Sequence, residues 1–473
     1  MSLQVYNSYS RSKEPFEPRT PGVVRMYNCG PTVYSRAHIG NLRSFLFADV
    51  LRRWLEHEGF EVQQVMNITD VGHIQGDADE GEDKLDAAAR KERIDPLEIA
   101  NRYADQFLAD VKELGVRPPM LYPRATDHIP EMLAIIEDLI AKGHAYQVGE
   151  DVYFDVQSFP RYGKLSGNRV EDLEAGARIE VREEKRHPAD FALWKSDAKH
   201  LMRWESRFGK DGFPGWHIEC SAMAMKHLGE ELDIHTGGED NVFPHHECEI
   251  AQSEAHTGKP FARYWMHAKF LQVEGGKMSK SLGNVYSLAD VEERGFQPRV
   301  LRYTLIRGHY RQPLNFTWDI MAESQSALEK LDELWSRLER AAGGQGVAED
   351  ADAGRELLDG AKQKFSAGMN DDLNVPIALA ALFGLRDAVL AGSLGQAVAE
   401  DAVTFVRAAN DVLAVIHTEG AGDDAEIEAL VQERLDARAN KDWARSDEIR
   451  DELAARGIVL QDSADGTIWR RQS

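Results

Sequence analysis

The chain has 473 residues, a formal net charge of −24, 42% hydrophobic residues and three cysteines. That length predicts about two to four domains, the apolar fraction excludes disorder of the whole chain, and so few scattered cysteines exclude a disulfide-stapled scaffold and fit a reducing cytoplasm. The acidic balance alone decides nothing about nucleic acid, because binding follows where basic residues cluster and not their sum.

The opening run MSLQVYNSYSRSKEP lacks the apolar core of a signal peptide, and no stretch reaches membrane-spanning length, so a soluble, unexported protein with no membrane contact is expected. Val23 to Cys29 then predicts a short strand running into a glycine-proline turn. From Asn41, the residues Leu42, Phe45, Leu46, Val50, Leu51, Trp54 and Leu55 recur at three- and four-residue steps, the stripe of a helix packed on a sheet. A second strand, Glu61 to Ile68, with a crossover helix behind it makes the opening a βαβ unit of the α/β class with a parallel sheet.

Between Met120 and Gly215 the pattern changes to a helix from His128 to Lys142, ended by Gly143, and an alternating run from Tyr146 to Val156 that predicts a hairpin around Gly149 and Glu150. This reads as an insertion. The αβ pattern resumes with a helix through Ser221 to His227, a strand Leu232 to His235, the turn TGGED, a helix beginning near His245, and a strand Trp265 to Val273 that leads into Gly275 and Gly276. The run Arg294 to Arg311 predicts an amphipathic helix with Val300, Leu301, Leu305 and Ile306 toward a core, its arginines either solvated or facing phosphate. After Trp318 the strand signals stop. Leu328, Leu331, Trp335 and Leu338 mark one helix, a small-residue linker starts at Ala341, and a further helix follows the acidic stretch after Met369, so an all-helical domain is expected. A polar break at Thr418 isolates a last module of about 50 residues.

Cys29, Cys220, His245 and Glu249 are zinc-ligand types in separate pieces of chain, so the fold would have to assemble the site, as catalytic metal sites usually require. Cys248, three residues after His245, is within helical reach of the same point and is an alternative ligand. The competing reading makes the cysteines small core residues and puts His245 and Glu249 on a solvated helix face. His38-Ile39-Gly40-Asn41 enters the first helix, where free backbone N–H groups and the helix dipole favour a phosphate. Lys277-Met278-Ser279-Lys280-Ser281 forms a loop of lysines and hydroxyls preceded by glycines.

Together and in this order, these two short motifs resemble the HIGH and KMSKS signatures of class I aminoacyl-tRNA synthetases. Within that class, MYNCGPTVYSRAHIGN, NITDVGH, PRATDHI, DFALWK, GWHIECSAM, DIHTGGEDNVFPHHECEIAQ and KMSKSLGN are similar to the cysteinyl-tRNA synthetase family. The likeness extends to the terminal KDWARSDEIRDELAARGIVLQDSADGTIW.

The resemblance implies a Rossmann-like parallel-sheet catalytic domain with an inserted connective domain, then a helical-bundle anticodon-binding domain and a small C-terminal module. The expected bounds are 1–120 and 215–275 for the catalytic halves, 121–214 for the insertion, 276–320 for the KMSKS loop and stem-contact region, 321–420 for the bundle and 421–473 for the tRNA-binding module. It also implies a reaction in which L-cysteine and ATP, accompanied by Mg2+, form cysteinyl-adenylate, and the cysteinyl group then passes to tRNA(Cys). His38 and Lys280 carry the catalytic roles in this reading, and His38, Gly40, Asn41, Asp240, Lys277 and Lys280 hold ATP. Gly30, Thr69 and Trp216 contact the substrate cysteine, with His217 and His235 as wall residues. Cys29, Cys220, His245 and Glu249 become the ligands of one zinc ion, which selects the substrate thiolate. A cytoplasmic monomer is expected.

Three positions depart from the family pattern. Asn41 stands where the second histidine of the first signature usually lies, the run VGHIQGDADEGEDK follows Asp70, and Cys248 occupies a place that is usually not cysteine. Two rival readings are a relative that attaches cysteine to an amino sugar and a tRNA-binding scaffold without catalysis. The segments after Trp318 argue against the first, and the intact lysine loop and ligand set against the second.

Overall fold

A computed structural model describes residues 2–72, 84–170, 185–279, 283–345, 351–394, 396–418, 421–463 and 466–471. The chain divides into two compact units, Met1–Trp318 with Lys364–Leu379, and Asp319–Gln363 with Ala380–Ser473. The first unit therefore takes in residues 364–379, which the sequence pattern groups with the helical segment. Among the described residues no helix is long and apolar enough to cross a membrane.

The first unit opens with the hairpin β1 (Gln4–Asn7) and β2 (Ser12–Pro15). Next come β3 (Val23–Asn28), α1 (Ile39–His57) and β4 (Glu61–Met66), with β3 and β4 paired in parallel. α2 (Lys84–Glu92), α3 (Pro96–Glu113) and α4 (Ile129–Ala141) lead into β5 (Ala145–Val148), β6 (Asp151–Phe154), β7 (Phe191–Ser196), β8 (Trp204–Ser206) and β9 (Gly209–Pro214). These strands form a separate antiparallel sheet in the order β5-β6-β7-β9-β8. α5 (Trp216–Leu228), β10 (Leu232–Gly238), α6 (Glu247–Thr257) and β11 (Ala262–Ala268) return the chain to the parallel sheet.

That sheet has the order β11-β10-β3-β4 with every pair parallel. From β3 the chain moves outward to β4, and from β10 it moves outward the other way to β11. The order reverses between β3 and β10, and in open α/β sheets the crevice at the carboxyl ends of such strands is where ligands bind. Cys29 follows β3 directly, and Gly237 and Gly238 end β10, so the topology points these segments at one crevice. The stripe Leu42, Phe45, Leu46, Val50, Leu51, Trp54 and Leu55 is buried on α1 as its spacing predicts.

The strand expected from Trp265 to Val273 is two strands in different sheets. β11 pairs with β10, whereas β12 (Leu271–Val273) pairs in parallel with β14 (Leu314–Phe316) and antiparallel with β13 (Gly276–Lys277). No glycine, proline, asparagine or aspartate interrupts the run at Lys269 and Phe270, but the chain changes partners there. Between β13 and β14 lie α7 (Leu288–Glu293) and α8 (Pro298–Ile306).

α8 buries Val300, Leu301, Leu305 and Ile306, and it also buries Arg302 completely. Arg302 is therefore neither solvated nor turned to phosphate. Its Nη2 donates to Asp49 Oδ2 at 2.6 Å, and its Nη1 donates to the Leu114 carbonyl at 3.1 Å. Asp49, also buried, accepts in addition from Arg53 Nε at 2.8 Å and from the Arg117 backbone N–H at 2.8 Å. Arg311 pairs with buried Asp372 at 2.7 Å, and Arg294 lies over the Trp318 ring at 4.0 Å.

α9 (Trp318–Arg340), α10 (Ala351–Asn370), α11 (Val375–Leu390) and α12 (Ala399–Leu413) follow in sequence. In the second unit Leu328, Leu331, Trp335 and Leu338 are buried on α9, and Arg386 of α11 pairs with Glu333 at 2.6 Å. The terminal segment folds α13 (Ala421–Ala439) and α14 (Trp443–Ala455) around Ile427, Val431, Ile449, Leu453 and Ile458. It closes with an antiparallel hairpin, β15 (Ile458–Ser463) and β16 (Gly466–Arg471). Strands thus reappear after Trp318, against expectation, and the Asp465-Gly466 pair between two β-branched runs is the sequence signal for them.

Removing the shared carboxylate of this buried network leaves Arg302 and Arg53 as uncompensated charges. Asp49→Ala is expected to destabilise the first unit by about 3–5 kcal/mol, measured as a lower midpoint of its transition in urea unfolding.

Candidate functional site

At the end of β3 the Cys29 N–H donates to the Thr236 carbonyl of β10 at 3.1 Å, which holds the cysteine over the crevice. Gly30 follows, and its N–H donates to Asn67 Oδ1 at 2.8 Å. A Cβ at Gly30 would lie 1.7 Å from the Asn67 carbonyl oxygen, so only glycine permits this close approach. Cys220 comes from the second turn of α5, His245 from the kinked turn Val242–His246, and Glu249 from the first turn of α6. One donor atom from each of Cys29, Cys220, His245 and Glu249 lies within 4.8 Å of every other.

Hydrogen bonds fix the orientation of this group. His245 Nε2 and Glu249 Oε1 are 3.0 Å apart, and the second carboxylate oxygen, Oε2, lies 2.9 Å from His235 Nε2. His217 Nδ1 is 2.9 Å from His245 Nδ1. A second set, Cys29, His235, His246 and Glu249, also gathers within 4.8 Å. In that set His235 Nε2 is engaged by Glu249 Oε2, and His246 is bound on its far side, Nδ1 to His267 Nε2 at 2.8 Å, with His267 Nδ1 2.8 Å from Ser8 Oγ.

The electrostatics match a cation site. The hydrogen bond with Cys29, working against burial, brings the Cys220 thiol down to about 6. Burial tends to raise Glu249, but the neighbouring His235 and His245 outweigh it and hold the carboxyl at about 2. His245 is lowered by burial and raised more strongly by Glu249 and Cys220. Burial, reinforced by Cys220, pushes the Cys29 thiol well up. A thiolate and a carboxylate face a second thiol and a protonated histidine, which would each release a proton on binding a metal, and together they make a donor set of two sulfurs, one nitrogen and one oxygen that suits a tetrahedral borderline-soft divalent ion. The first set, with both sulfurs, fits such an ion better than the second.

Cys248 belongs to neither set. It is fully buried in the apolar core, with its Sγ 3.5 Å from the Tyr162 hydroxyl. Cys248 and Glu249 are successive residues of α6, about 100° apart around the helix, so Glu249 meets His245 while Cys248 points into the core.

Of the residues assigned to the substrate cysteine, Gly30 follows Cys29 directly and Trp216 touches His245, whereas Thr69 bonds to neighbours of the group. Trp216 stacks obliquely on His245 with ring centroids 4.4 Å apart. Thr69 is buried, donates to Glu219 Oε2 at 2.8 Å and accepts from Asn67 Nδ2 at 3.0 Å. Glu219, fully buried, is raised well above the usual carboxyl range by burial and by the adjacent Cys220.

The first phosphate signature forms the cap of α1. His38 Nδ1 accepts from the Asn41 N–H at 3.2 Å, and Asn41 Oδ1 accepts from the His38 N–H at 3.3 Å. This reciprocal capping box accounts for asparagine at position 41. The second signature lies against the first. A Cβ at Gly40 would be 2.6 Å from Met278 Cε, and Ile39 N–H donates to the Tyr286 carbonyl at 2.8 Å. The Lys277 backbone lies in β13, whereas Lys280 falls outside the described residues, as does most of the run after Asp70 (73–83). Asp240 sits in the turn Glu239–Asn241 beyond β10, where Gly238 N–H donates to Asn241 Oδ1 at 2.9 Å.

Sequence reasoning passed over His246, His267, Asn67 and Glu219. His246 adjoins His245 in the same run and was visible there. His267 reaches the group only because β11 pairs beside β10, a relation that no local pattern carries.

Residues 15–326 match the family described as tRNA synthetases class I (C) catalytic domain. Residues 364–417 match the DALR domain, and residues 422–470 the cysteinyl-tRNA ligase anticodon binding domain. A cysteine–tRNA ligase of Chlorobaculum tepidum is 46% identical over 493 aligned positions, covering 100% of this chain and 99% of that protein. One of Deinococcus radiodurans is also 46% identical, covering 99% of this chain and 97% of the relative. In fold the chain is similar to Mycobacterium tuberculosis methionyl-tRNA synthetase in complex with methionyl-adenylate, with a TM-score of 0.63 at 16% identity, covering 86% of this chain and 94% of that one.

The two sulfurs outside and inside the donor set separate by mutation. Cys220→Ser is expected to abolish stoichiometric metal retention after expression with zinc, and Cys248→Ser to leave it intact, both read by inductively coupled plasma mass spectrometry.

Proposed function

We propose, from the premise that this chain belongs to the cysteine–tRNA ligase family of class I tRNA synthetases, that zinc held by Cys29, Cys220, His245 and Glu249 selects L-cysteine by its sulfur. The activity is ATP-dependent ligation of cysteine to tRNA. The cysteine carboxylate attacks the α-phosphorus of ATP, a mixed anhydride forms and pyrophosphate leaves. A ribose hydroxyl at the 3′ end of tRNA(Cys) then attacks the acyl carbon, an ester forms and AMP leaves. Neither step needs a nucleophile from the protein, so catalysis rests on positioning and charge stabilisation.

The observation that carries this reading is the gathering of two thiols, an imidazole and a carboxylate within 4.8 Å at the reversal of the parallel sheet. Serine differs from cysteine by one atom, and an apolar pocket separates near-isosteres by only about 1–3 kcal/mol. A zinc ion supplies the missing discrimination, since it binds thiolate far better than hydroxyl. Around it, Trp216 packs on His245, and Gly30, Thr69 and Trp216 contact the substrate cysteine. His235 and His217 orient Glu249 and His245, and such outer partners sharpen a ligand set.

On the nucleotide side, His38, Asn41 and the backbone at Gly40 meet the phosphates at the N-terminal end of α1. Lys277 and Lys280 neutralise charge developing on pyrophosphate, Mg2+ accompanies ATP, and Asp240 contacts the ribose. Residues 1–120 and 215–275 act as the catalytic halves and 121–214 as the connective insertion, with 276–320 as the loop and stem-contact region. Residues 321–420 and 421–473 bind the anticodon side of the tRNA. The chain acts as a monomer in this reading, and the reaction belongs to the cytoplasm where tRNA is charged.

The zinc-loaded protein is expected to exchange pyrophosphate into ATP with cysteine and not with serine, without tRNA. Absence of cysteine-dependent exchange contradicts the reading. Lys280→Ala should lower the exchange rate by about 100- to 1,000-fold with little change in cysteine affinity, measured by steady-state exchange and calorimetry.

A further inference from the structure

α1 carries a buried cation that the reaction as described does not use. Arg43 is only 3% exposed, and its recorded partners are all backbone carbonyls. Nη1 donates to Lys269 at 2.8 Å and to Phe270 at 2.9 Å, and Nη2 donates to Gln312 at 2.6 Å and to His309 at 3.4 Å. Burial brings the guanidinium down to about 10, so it stays charged at neutral pH. A buried charge with no carboxylate among its hydrogen-bond partners is costly, and an apolar side chain would fill the position more cheaply.

The four carbonyls belong to two segments. Lys269 and Phe270 form the step where the chain leaves β11 for β12, and His309 to Gln312 lead into β14. β12 and β14 pair with each other, and β12 also pairs with β13, which carries Lys277. Arg43 therefore ties the root of the β12–β13 hairpin to α1. Three residues earlier, on the same helical face, Gly40 meets Met278 where the chain leaves that hairpin, at the same open end as its root, while Ile39 N–H takes the Tyr286 carbonyl beyond it. The hairpin is thus fastened to the first turns of α1 at its root and at both sides of the lysine loop.

We propose that Arg43 is a positioning residue whose planar fork sets the spacing between the N-terminal end of α1 and the β12–β13 hairpin, and so aligns the two phosphate signatures for adenylate formation. Arginine suits the task because its donors leave in fixed directions from one plane and span two pairs of carbonyls. A lysine ammonium offers fewer donors from a single point. The inference rests on the reaction proposed above for its catalytic consequence, but the mechanical tie stands on the hydrogen bonds alone.

The test uses full-length, zinc-loaded Arg43→Lys and Arg43→Met, with three readouts: cysteine-dependent pyrophosphate exchange, metal content, and the rate of tryptic cleavage after Lys277. The expected result is a fall in kcat of about tenfold for Arg43→Lys and about 100-fold for Arg43→Met, with KM for cysteine and metal content unchanged, and faster cleavage after Lys277 in both. Arg43→Lys decides where Arg43→Met does not fold. An unchanged kcat in folded Arg43→Lys, or parallel loss of kcat, cysteine affinity and metal, overturns the positioning role. If the wild-type chain shows no cysteine-dependent exchange yet Arg43→Lys is cut faster, the tie holds and the proposed reaction falls; unchanged cleavage overturns the tie.

Discussion

Two sulfur atoms, an imidazole nitrogen and a carboxylate oxygen are held within 4.8 Å of one another in a buried crevice, and most features of the catalytic unit can be read from what that requires. Donors that repel, compete for protons and resist desolvation stay together only when the surrounding chain fixes each one. Cys29 is fixed by the β3–β10 pairing, Cys220 by α5, and His245 with Glu249 by the entry to α6. Gln252 of α6 donates to the His217 carbonyl at 2.7 Å and to Ser221 Oγ at 3.0 Å, so the two helices that carry ligands are joined by buried polar bonds. His235 reaches Glu249 from the sheet and completes the frame.

The same sheet reversal that forms the metal crevice also places α1, whose N-terminal end is the nucleotide side of the proposed site. In the proposed reading, sulfur recognition and phosphate recognition therefore lie along neighbouring strand ends instead of in separate domains. Close backbone approach is what makes this possible. At Gly30, against the Asn67 backbone carbonyl, any side chain would push the parts of the crevice apart, whereas at Gly40 the nearest obstacle is the flexible end of Met278. Arg43 on α1 and Arg302 on α8 each replace apolar packing with a directed cation that pins a segment distant in sequence to α1.

Much of this was legible in the sequence where one local period or one residue type carried the information. The three- and four-residue stripe of α1 is such a case, as is the presence of ligand types at Cys29, Cys220, His245 and Glu249. What the chain could not display locally was partnership. Arg302 reads as a solvent-facing arginine on an amphipathic helix, because its carboxylate, Asp49, lies on a helix far away in sequence. The run from Trp265 to Val273 holds no turn residue and reads as one strand, yet the chain changes sheets at Lys269 and Phe270. Cys248 and Glu249 are adjacent in sequence, and the rotation of about 100° between them on α6 separates the core thiol from the carboxylate that meets His245. The link between the cysteines and sulfur recognition came from the two phosphate signatures and the family resemblance, not from ligand spacing.

The most direct measurement is zinc K-edge X-ray absorption of the zinc-loaded chain, recorded alone, with L-cysteine and with L-serine. Direct recognition of the substrate sulfur predicts that cysteine adds one sulfur neighbour to the zinc coordination shell while serine leaves the sulfur count unchanged. An identical coordination shell in saturating cysteine would contradict it, and would reduce Cys29, Cys220, His245 and Glu249 to a structural metal site.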